Sequence, residues 1–463
     1  MLAWGSISYR FLVEQKYDKR GINMRTAVIP SLVLLLSCSL SGSVLATELA
    51  QPSAKAMAKL EALYLHLHQN PELSYQEKAS SERIANELKA LGFEVTSNIG
   101  GYGVVGVLKN GEGPTVMIRA DMDALPITEA TGKSYASKVK TLNTSNQEVG
   151  VMHGCGHDIH MTSLVGSAEQ LVANMHKWQG TLMMVAQPAE EVGGGAKAML
   201  KQGLFKDFAT PDYILGLHVS ASLPAGKVGV TSGYALANVD SVDITVKGLG
   251  GHGAYPHLTK DPVVLASRIV LALQTIASRE LSPLEPNVIT VGSIHGGSKH
   301  NIISNEVKLQ LTLRSYNPEV RLQQIEALKR LTAGIAMSAG LDESLYPEVY
   351  VHEDERIPST YNNPELAAKV RASIETELGI DNVVAAEPVM AGEDFGLYGL
   401  TSDKRPITLF WLGAVEPEAY EKSIATGKSL PSLHSSQFAP DYPKTLNTGV
   451  RAMSKAALDL FNQ

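Results

Sequence analysis

Short apolar runs alternate along this chain with segments of helical periodicity, and this alternation constrains the fold more than any other feature. Runs of four or five apolar residues between turn residues are typical of buried strands. Such runs occupy residues 104–108, 115–118, 181–185 and 213–217, and helical periodicity is found at 56–67, 80–91 and 162–174. The pattern predicts an α/β fold with a mixed sheet between helices, and ligands near the carboxyl ends of the strands.

The pattern changes between residues 237 and 350. Its predicted elements are a strand at 239–246, a helix at 262–279, strands at 287–294 and 306–315, and a helix at 318–339. This order is typical of a small α+β sandwich. Because 463 residues exceed what one hydrophobic core usually serves, we expect two domains. Residues 47–236 and 351–463 would form the larger domain, with residues 237–350 inserted as the smaller one.

Charge and cysteine content exclude some classes of function. The formal net charge of −7 provides no basic surface for nucleic acid, so nucleic-acid binding is not expected. The two cysteines are Cys38, within an apolar run, and Cys155, among histidines. Two cysteines in such different settings do not make a disulfide scaffold.

Residues 1–46 have the composition of an N-terminal extension followed by an export signal. Basic residues precede the apolar residues 27–36, and small residues lead to a cleavage position before Thr47. The apolar stretch is shorter than the roughly 20 residues that cross a bilayer, although an anchoring helix is the alternative interpretation. Met24 is a second candidate for the start of the chain. We therefore expect a periplasmic or secreted protein with no stable membrane span.

The densest cluster of metal-binding side chains lies in residues 153–160, which read HGCGHDIH. Thiolate and imidazole groups are the ligands that zinc and similar divalent ions prefer. The intervening glycines allow Cys155 and His157 to face one ion. Asp158 is a candidate for orienting an imidazole through a hydrogen bond. The alternatives are a structural zinc site and a turn with a buried free cysteine.

Glu190 and Glu191 directly follow a predicted buried strand. Adjacent side chains that leave a strand point in different directions, so one glutamate can bind metal while the other acts as a general base. This interpretation favours a catalytic metal site over a structural one. Three glycines at 193–195 favour a functional loop. A solvated pair of surface glutamates is the alternative.

Two isolated histidines extend the candidate site. His218 closes the apolar run 213–217, and His434 is flanked by Leu433 and Ser435. Singly, each is more often an ordinary core or surface histidine, but together with the residues above they complete a set of metal ligands. A serine hydrolase is not expected, because no Gly-x-Ser-x-Gly motif lies between a predicted strand and a helix.

These segments together resemble the aminoacylase-type family of co-catalytic metallohydrolases. The most similar branch contains hippurate hydrolases, N-acyl-L-amino-acid amidohydrolases and plant auxin-conjugate hydrolases. Besides the motifs above, the resemblance rests on HQNPELS at 68–74, RADMDALP at 119–126, GGHGAYPH at 250–257, GEDF at 392–395 and the segment around His434. Residues 138–148 depart from this branch, because they make the connection longer, and they are predicted to form a surface loop.

The resemblance implies a role for each candidate residue. The implied metal ligands are Cys155, His157, Glu191, His218 and His434, with Cys155 bridging two divalent ions (zinc, manganese, cobalt or nickel). Glu190 would be the general base, and His252 would polarise the scissile carbonyl in the site of a partner subunit. Asn301 and Arg314 are weaker candidates for holding substrate. Asp121 and Asp158 would orient ligands. The inserted domain would serve as a lid and hold a homodimer together.

The function implied by this resemblance is hydrolysis of the amide bond of N-acyl amino acids by a metal-bound hydroxide. Two alternatives stay open at this point. One is a dipeptidase or exopeptidase of the same fold. The other is a catalytically silent metal-binding protein, although such a protein would not need Glu190.

Overall fold

The apolar runs of the sequence form the centre of an eight-stranded mixed sheet in the computed structural model, which describes residues 49–463. Strands and helices are numbered along the chain. In spatial order the strands are β1 (Glu94–Ile99), β2 (Gly103–Asn110), β6 (Gly180–Gln187), β3 (Thr115–Asp121), β7 (Tyr213–Pro224), β18 (Ile407–Val415), β8 (Val228–Val230) and β17 (Val383–Ala385). The pairs β6–β3, β3–β7 and β7–β18 are parallel. Strands at the centre of such a sheet are buried on both faces, which explains their continuous apolar sequence.

Helices cover both faces of this sheet. They are α1 (Ala54–Gln69), α2 (Lys78–Ala90), α3 (His157–Ala173), α4 (Gly195–Lys201), α5 (Leu204–Asp207), α8 (Pro364–Leu378), α9 (Pro417–Thr426) and α10 (Tyr442–Phe461). Alternate residues of β3 enter different cores: Ile118 packs with residues of α1, α3 and α10, whereas Met117 packs with residues of α4 and α5. The predicted mixed sheet between helices is confirmed.

A second, four-stranded antiparallel sheet has its own core. Its strands, in spatial order, are β12 (Asn287–Gly296), β14 (Glu306–Ser315), β10 (Asn238–Lys247) and β15 (Glu348–Val351), and α6 (Pro262–Thr275) and α7 (Pro318–Ser338) pack on it. Burial alternates strictly along β10, as expected for a sheet with one face against helices. The elements agree with the predicted order. The domain boundaries at 237 and 350 stay a prediction.

Three two-stranded ribbons complete the described part of the chain. They are β4 (Lys140–Leu142) with β5 (Glu148–Gly150), β9 (Gly233–Leu236) with β16 (Thr360–Asn362), and β11 (Gly251–His252) with β13 (Ile302–Ile303). The predicted loop at 138–148 lies at the surface, as expected, but its residues 140–142 pair with 148–150 in a β-hairpin. The sequence did not indicate this pairing because three-residue strands are too short to show alternation.

Asx-Pro pairs start several helices as the sequence chemistry dictates. The side chain of Asp261 accepts hydrogen bonds from the amides of Val263 and Val264, and Pro262 occupies the first helical position of α6. Asn317 and Asn363 cap α7 and α8 in the same way, each directly before a proline. The proline lacks an N–H that would otherwise be unpaired, so these ends are defined locally.

Two predicted boundaries near the site were wrong. Strand β7 continues to Pro224, so His218 lies within the strand and does not end it. Helix α3 begins at His157, five residues earlier than its apolar periodicity indicates. The first turn of α3 is buried on every side, and a helix buried all round loses its amphipathic signal.

The export signal predicted within residues 1–46 lies outside the described residues. Among residues 49–463, the helical segment Pro262–Glu280 is the one long and apolar enough to cross a membrane by length and composition, with 33% of it buried. This segment contains α6, which packs on the second sheet.

Candidate metal centre

The candidate ligands come from four places around the carboxyl ends of the central strands. Cys155 and His157 flank the start of α3, Glu191 lies in the loop after β6, His218 lies in β7, and His434 lies in the segment before α10. Gly156 joins the first two with φ 78°, and a Cβ there would lie 2.5 Å from Cγ2 of Val219. Glycine is therefore required at this turn by both conformation and space.

The five predicted ligands converge. The Sγ atom of Cys155 lies 3.5 Å from Nε2 of His218 and 3.3 Å from Nε2 of His434. Glu191 places one carboxylate oxygen 3.4 Å from Nε2 of His434 and the other 3.8 Å from Nε2 of His157. The ligand atoms of Cys155, His157 and His218 all lie within 4.8 Å of one another, as do those of Cys155, Glu191 and His434. Two overlapping groups thus share Cys155.

The chemistry of this set fits divalent metal ions. Nε2 of His157 and Oε1 of Glu191 are buried and have no hydrogen-bond partner. A buried polar atom without a partner is costly, and a bound cation satisfies both. Thiolate, imidazole and carboxylate are the zinc-type donors. His434 also has φ 61°, a strained conformation for a residue other than glycine, and such strain is concentrated at functional sites.

Electrostatics prepare the centre for cations. Burial raises the pKa of the Cys155 thiol, and the neighbouring Glu191 and Glu190 raise it further, so the thiolate needs a positive partner. Burial alone would lower the pKa of His157, but Asp121, Asp123 and Glu191 raise it to about 10. The centre therefore carries an excess of negative charge that bound metal would neutralise.

Hydrogen bonds fix which ring nitrogens are free for metal. Nδ1 of His218 donates to the carbonyl oxygen of Val219 at 2.8 Å, which leaves Nε2 as an electron-pair donor towards Cys155. His160 differs, because its Nε2 accepts from the amide of Val219 at 2.9 Å and its Nδ1 donates to Asp121 at 2.6 Å. Both nitrogens of His160 are used, so it supports the centre and does not bind the metal.

Asp121 and Asp158 were both predicted to orient ligands. Oδ1 of Asp121 holds His160, and its Oδ2 accepts from Nη1 of Arg119 at 2.8 Å and lies 3.8 Å from Nε2 of His157. Asp158 does contact an imidazole, because its Oδ2 lies 2.7 Å from Nδ1 of His68. The imidazole that Asp158 orients therefore belongs to α1 and is not a metal ligand. The first turn of α3 directs successive side chains to different sides.

Asp123 is the orienting residue that the sequence analysis missed. Its Oδ1 lies 3.4 Å from Nδ1 of His157 and accepts from the amide of Glu190 at 3.0 Å. Its Oδ2 accepts from the amide of Glu191 at 3.0 Å and from the hydroxyl of Ser74 at 2.6 Å. One carboxylate thus positions a ligand and both glutamates. The only signal in the sequence is its place in the RADMDALP segment.

A buried ion network underlies the centre. The guanidinium of Arg119 donates to Gln187, Asp121, Glu393 and Asp394 at 2.8–3.0 Å. The GEDF segment therefore supplies carboxylates next to the site. Burial raises the pKa of the Asp394 carboxyl to about 7, although the positive charge of Arg119 opposes this rise.

Glu190 lies beside this network and next to the ligands. One of its carboxylate oxygens is 4.0 Å from Nε2 of His157. Burial raises its pKa well above the ordinary value, and the negative charges of Glu393 and Glu191 add to this effect. The preceding Ala189 has φ 52°, so the chain turns sharply where the two glutamates begin. Glu190 thus has the elevated proton affinity of a general base.

The three candidates between residues 237 and 350 do not all lie at the cavity. Arg314 lines the same cavity as the ligands, a space of about 480 Å³, and donates to the carbonyl oxygen of Met390 at 2.8 Å. His252 lies in β11 and Asn301 directly before β13, and the amide of Gly253 donates to the carbonyl oxygen of Asn301. Both are exposed, and neither lines the cavity formed by the described residues of the same subunit.

Comparison with known proteins identifies the family. Residues 117–429 match the family model of peptidase family M20/M25/M40. The chain belongs to this family. It is 36% identical over 403 residues to thermostable carboxypeptidase 2 of Saccharolobus solfataricus, covering 86% of this chain and 94% of that protein. It is 37% identical over 346 residues to the hippurate hydrolase of Campylobacter jejuni, covering 73% and 85% respectively.

Solved structures of the M20 family agree with the fold. The crystal structure of the Bacillus subtilis YXEP protein, described as a dinuclear metal-binding peptidase, matches with a TM-score of 0.72 and 28% identity. The match covers 89% of this chain and 99% of that one. The resemblance stated from the sequence is confirmed, and so is the prediction of a metallopeptidase-type hydrolase.

Proposed function

We propose that this M20 family hydrolase cleaves the amide bond of N-acyl amino acids. The observation that carries the proposal is the separation of roles between Glu190 and Glu191. Glu191 points both carboxylate oxygens at ligand imidazoles, whereas Glu190 stays beside them as a base of raised pKa. The named activity of the hippurate hydrolase relative, whose substrate name denotes an N-acyl amino acid, supports the choice of substrate.

Two divalent ions would be held by the five converging residues. One ion would be held by the group Cys155, His157 and His218 and the other by the group Cys155, Glu191 and His434, since Cys155 belongs to both groups of donors. When bound, such ions lower the pKa of water and polarise a carbonyl group. Zinc, manganese, cobalt and nickel all accept these ligands, because ligand type alone does not determine occupancy.

The residues of the chain supply the remaining steps. Glu190 takes a proton from the attacking water and delivers it to the amine nitrogen that leaves when the amide bond breaks. Asp123 keeps Glu190 and Glu191 in place through their backbone amides. Arg314 is the one lysine or arginine among the described residues that line the cavity, so it would bind the substrate carboxylate.

His252 and Asn301 would act across the interface of a homodimer. His252 lies on the exposed β11–β13 ribbon and Asn301 directly before β13, and neither lines the cavity formed by the described residues of its own subunit. Such a pair would complete the site if another subunit brings its ribbon to the cavity. We therefore propose that His252 of one subunit polarises the scissile carbonyl in the other.

The substitution Glu190→Gln tests the assignment of the base. It keeps the size of the side chain and removes the basic oxygen, so we expect metal content to be retained and kcat to fall about 100- to 10,000-fold. Metal analysis and turnover of N-acetyl, N-benzoyl and dipeptide substrates are measured together. Glu82→Gln, on an exposed position of α2, serves as the control.

Outcomes of this experiment separate the alternatives. Wild-type turnover by Glu190→Gln would contradict the role of Glu190. Metal bound by the wild-type protein without hydrolysis of any substrate would favour a silent metal-binding protein. Preference for dipeptides would favour an exopeptidase, which the 36% identity to a carboxypeptidase makes the second candidate.

Export to the periplasm or the medium is also proposed. It rests on the basic, apolar and small residues in succession before Thr47. N-terminal sequencing of protein recovered from the periplasm or medium tests it, and Thr47 is the expected first residue. Full-length protein recovered only from the cytoplasm would contradict the proposal.

A further inference from the structure

A second, larger cavity adjoins the metal centre. Its volume is about 790 Å³, against about 480 Å³ for the cavity that contains the ligands. Ala391, Trp411 and Leu433 line both cavities, and the ring of Trp411 lies 5.5 Å from the ring of the ligand His218. This volume is within the range of small-molecule sites, roughly 300–1,000 Å³.

The walls of this second cavity are mainly apolar. Its apolar wall residues other than the shared three include Leu223, Val384, Val389, Ile424 and Leu430. Among the described residues that line it, Glu387 is the only aspartate, glutamate, lysine or arginine. A negative charge repels a carboxylate, so the cavity does not suit the charged end of an N-acyl amino acid. A neutral apolar group suits it.

Helix α9 forms the outer wall of this second cavity. Capping residues at its two ends stabilise it more than buried side chains do. Glu416, directly before α9, accepts hydrogen bonds from the amides of Glu418 and Ala419, and Gly427, directly after α9, has φ 67°. None of its own residues is buried. Ile424 lines the cavity yet leaves 68% of its surface exposed, and apolar surface beside a cavity gains free energy when a ligand covers it.

We propose that this second cavity binds the acyl group of the substrate and selects acyl groups much larger than acetyl. The inference rests on the proposed function and adds the class of acyl group to it. The two ends of the substrate are separated by charge: the carboxylate is held at Arg314 in the first cavity, and the acyl group extends past Trp411 towards α9. Each methylene buried there contributes about 0.8 kcal/mol, which is about fourfold in kcat/KM.

The test compares two series of substrates on the metal-loaded protein. In one series the amino acid is constant and the acyl group is acetyl, butanoyl, octanoyl or benzoyl. In the other the acyl group is always acetyl and the amino acid side chain varies. We expect kcat/KM of the wild-type protein to rise from acetyl to octanoyl and to vary less in the second series.

Ile424→Glu places a charge in the proposed acyl site at an exposed position. We expect kcat/KM for the octanoyl substrate to fall about tenfold or more and that for the acetyl substrate to change less than about twofold. Ile424→Ala removes apolar contact without a charge and should give a smaller loss of the same kind. Ala425→Glu is the matched control, because it adds the same charge to the next residue of α9, which does not line the cavity.

Several results would overturn the inference. One is an equal loss of kcat/KM for acetyl and octanoyl substrates in Ile424→Glu. Another is a change in kcat/KM that this substitution causes only in the series in which the amino acid varies. A change in oligomeric state caused by Ile424→Glu would show that this face binds protein instead. If the wild-type protein hydrolyses acetyl substrates well without preferring longer groups, only the acyl-site inference fails. If it hydrolyses no N-acyl amino acid, the proposed function fails and this inference fails with it.

Discussion

Asp123 shows how much of this centre depends on a residue that does not bind metal itself. Its two oxygens serve His157, Ser74 and the amides of Glu190 and Glu191. Outer partners of this kind commonly contribute 10- to 100-fold to metal affinity, because they hold a ligand in one orientation. The geometry of the ligands is therefore determined partly by the loop that follows β3.

The substitution Asp123→Asn tests this role. The amide keeps the size of the side chain but loses its charge and one acceptor, so we expect metal affinity to fall about 10- to 100-fold with the fold retained. Competition with a chelator measures affinity, and circular dichroism monitors the fold. Asp403→Asn, at an exposed position, is the control. Unchanged affinity in Asp123→Asn would show that the loop alone positions His157.

His68 is a second residue outside the set of ligands, and its ionisation should affect the stability of the whole protein. It lies between Asp158 and Glu129, 2.7 Å from the first and 3.3 Å from the second. Burial alone would lower its pKa, but these two carboxylates raise it to about 9. The ordinary pKa of histidine is about 6.5.

This raised pKa predicts a loss of stability at alkaline pH. The folded protein binds the proton of His68 more tightly than the unfolded chain. Its contribution, of the order of 3 kcal/mol, is therefore complete below pH 6.5 and is lost as the pH rises through about 9. We expect His68→Gln to be less stable than the wild type at pH 6.5 and the difference to narrow by pH 9.5. Urea unfolding at several pH values measures this, with exposed His176→Gln as the control. A difference independent of pH would contradict the raised pKa.

At the scale of elements, close packing of three helices depends on one glycine. Gly166 lies in α3, and a Cβ there would be 2.4 Å from Val450 in α10 and 2.8 Å from Leu60 in α1. These helices form part of the core that supports the end of α3 bearing His157. Gly334 in α7 has no atom within 4 Å of such a Cβ.

Replacing each of these two glycines by alanine should have different effects on stability. Alanine favours helix by about 1 kcal/mol over glycine, so Gly334→Ala should stabilise the protein by up to about that amount. Gly166→Ala gains the same propensity but overfills the core, which typically costs about 1–3 kcal/mol, so it should destabilise the protein or leave it little changed. Thermal unfolding of both variants measures the sign. Equal stabilisation by both would mean that α1 and α10 move apart without cost.

For the whole molecule, the main question is whether each active site uses two subunits. Glu190 lies in the cavity of its own subunit, whereas His252 is exposed on a ribbon away from it. If the proposed dimer is correct, a mixed dimer of Glu190→Gln and His252→Ala subunits contains one intact site and one doubly altered site. Each variant alone has no intact site.

Mixing the two variants therefore gives a direct test. After subunits exchange at random, half of the dimers are mixed, and activity should recover to about a quarter of the wild-type value. Steady-state turnover before and after mixing measures the recovery, and size-exclusion chromatography confirms the dimer. Mixing Glu190→Gln with wild type is the control without complementation, because its activity should stay at half the wild-type value whether or not subunits exchange. No recovery despite exchange would place His252 outside the partner's site.

The sequence by itself determined the class of fold and indicated the five residues that the structure brings together, whereas their roles as metal ligands and the role of Glu190 as general base stay predictions. Apolar runs indicate buried strands, and residue type together with spacing along the chain indicates candidate metal ligands. Neither signal needs knowledge of the fold. It could not show that Asp158 faces His68 or that Asp123 faces His157, because α3 is buried all round and its pattern does not reveal the direction of each side chain.

Tertiary structure alone decided how these local signals combine. Strands β3, β6 and β7 are neighbours in the sheet although β6 and β7 are distant from β3 in the chain, and this pairing brings Asp121, Gln187 and His218 to one edge. The second cavity likewise depends on α9 packing beside β7 and β17. Side-chain neighbours across a sheet are fixed by strand order, and strand order arises from the packing of the whole chain rather than from any single segment.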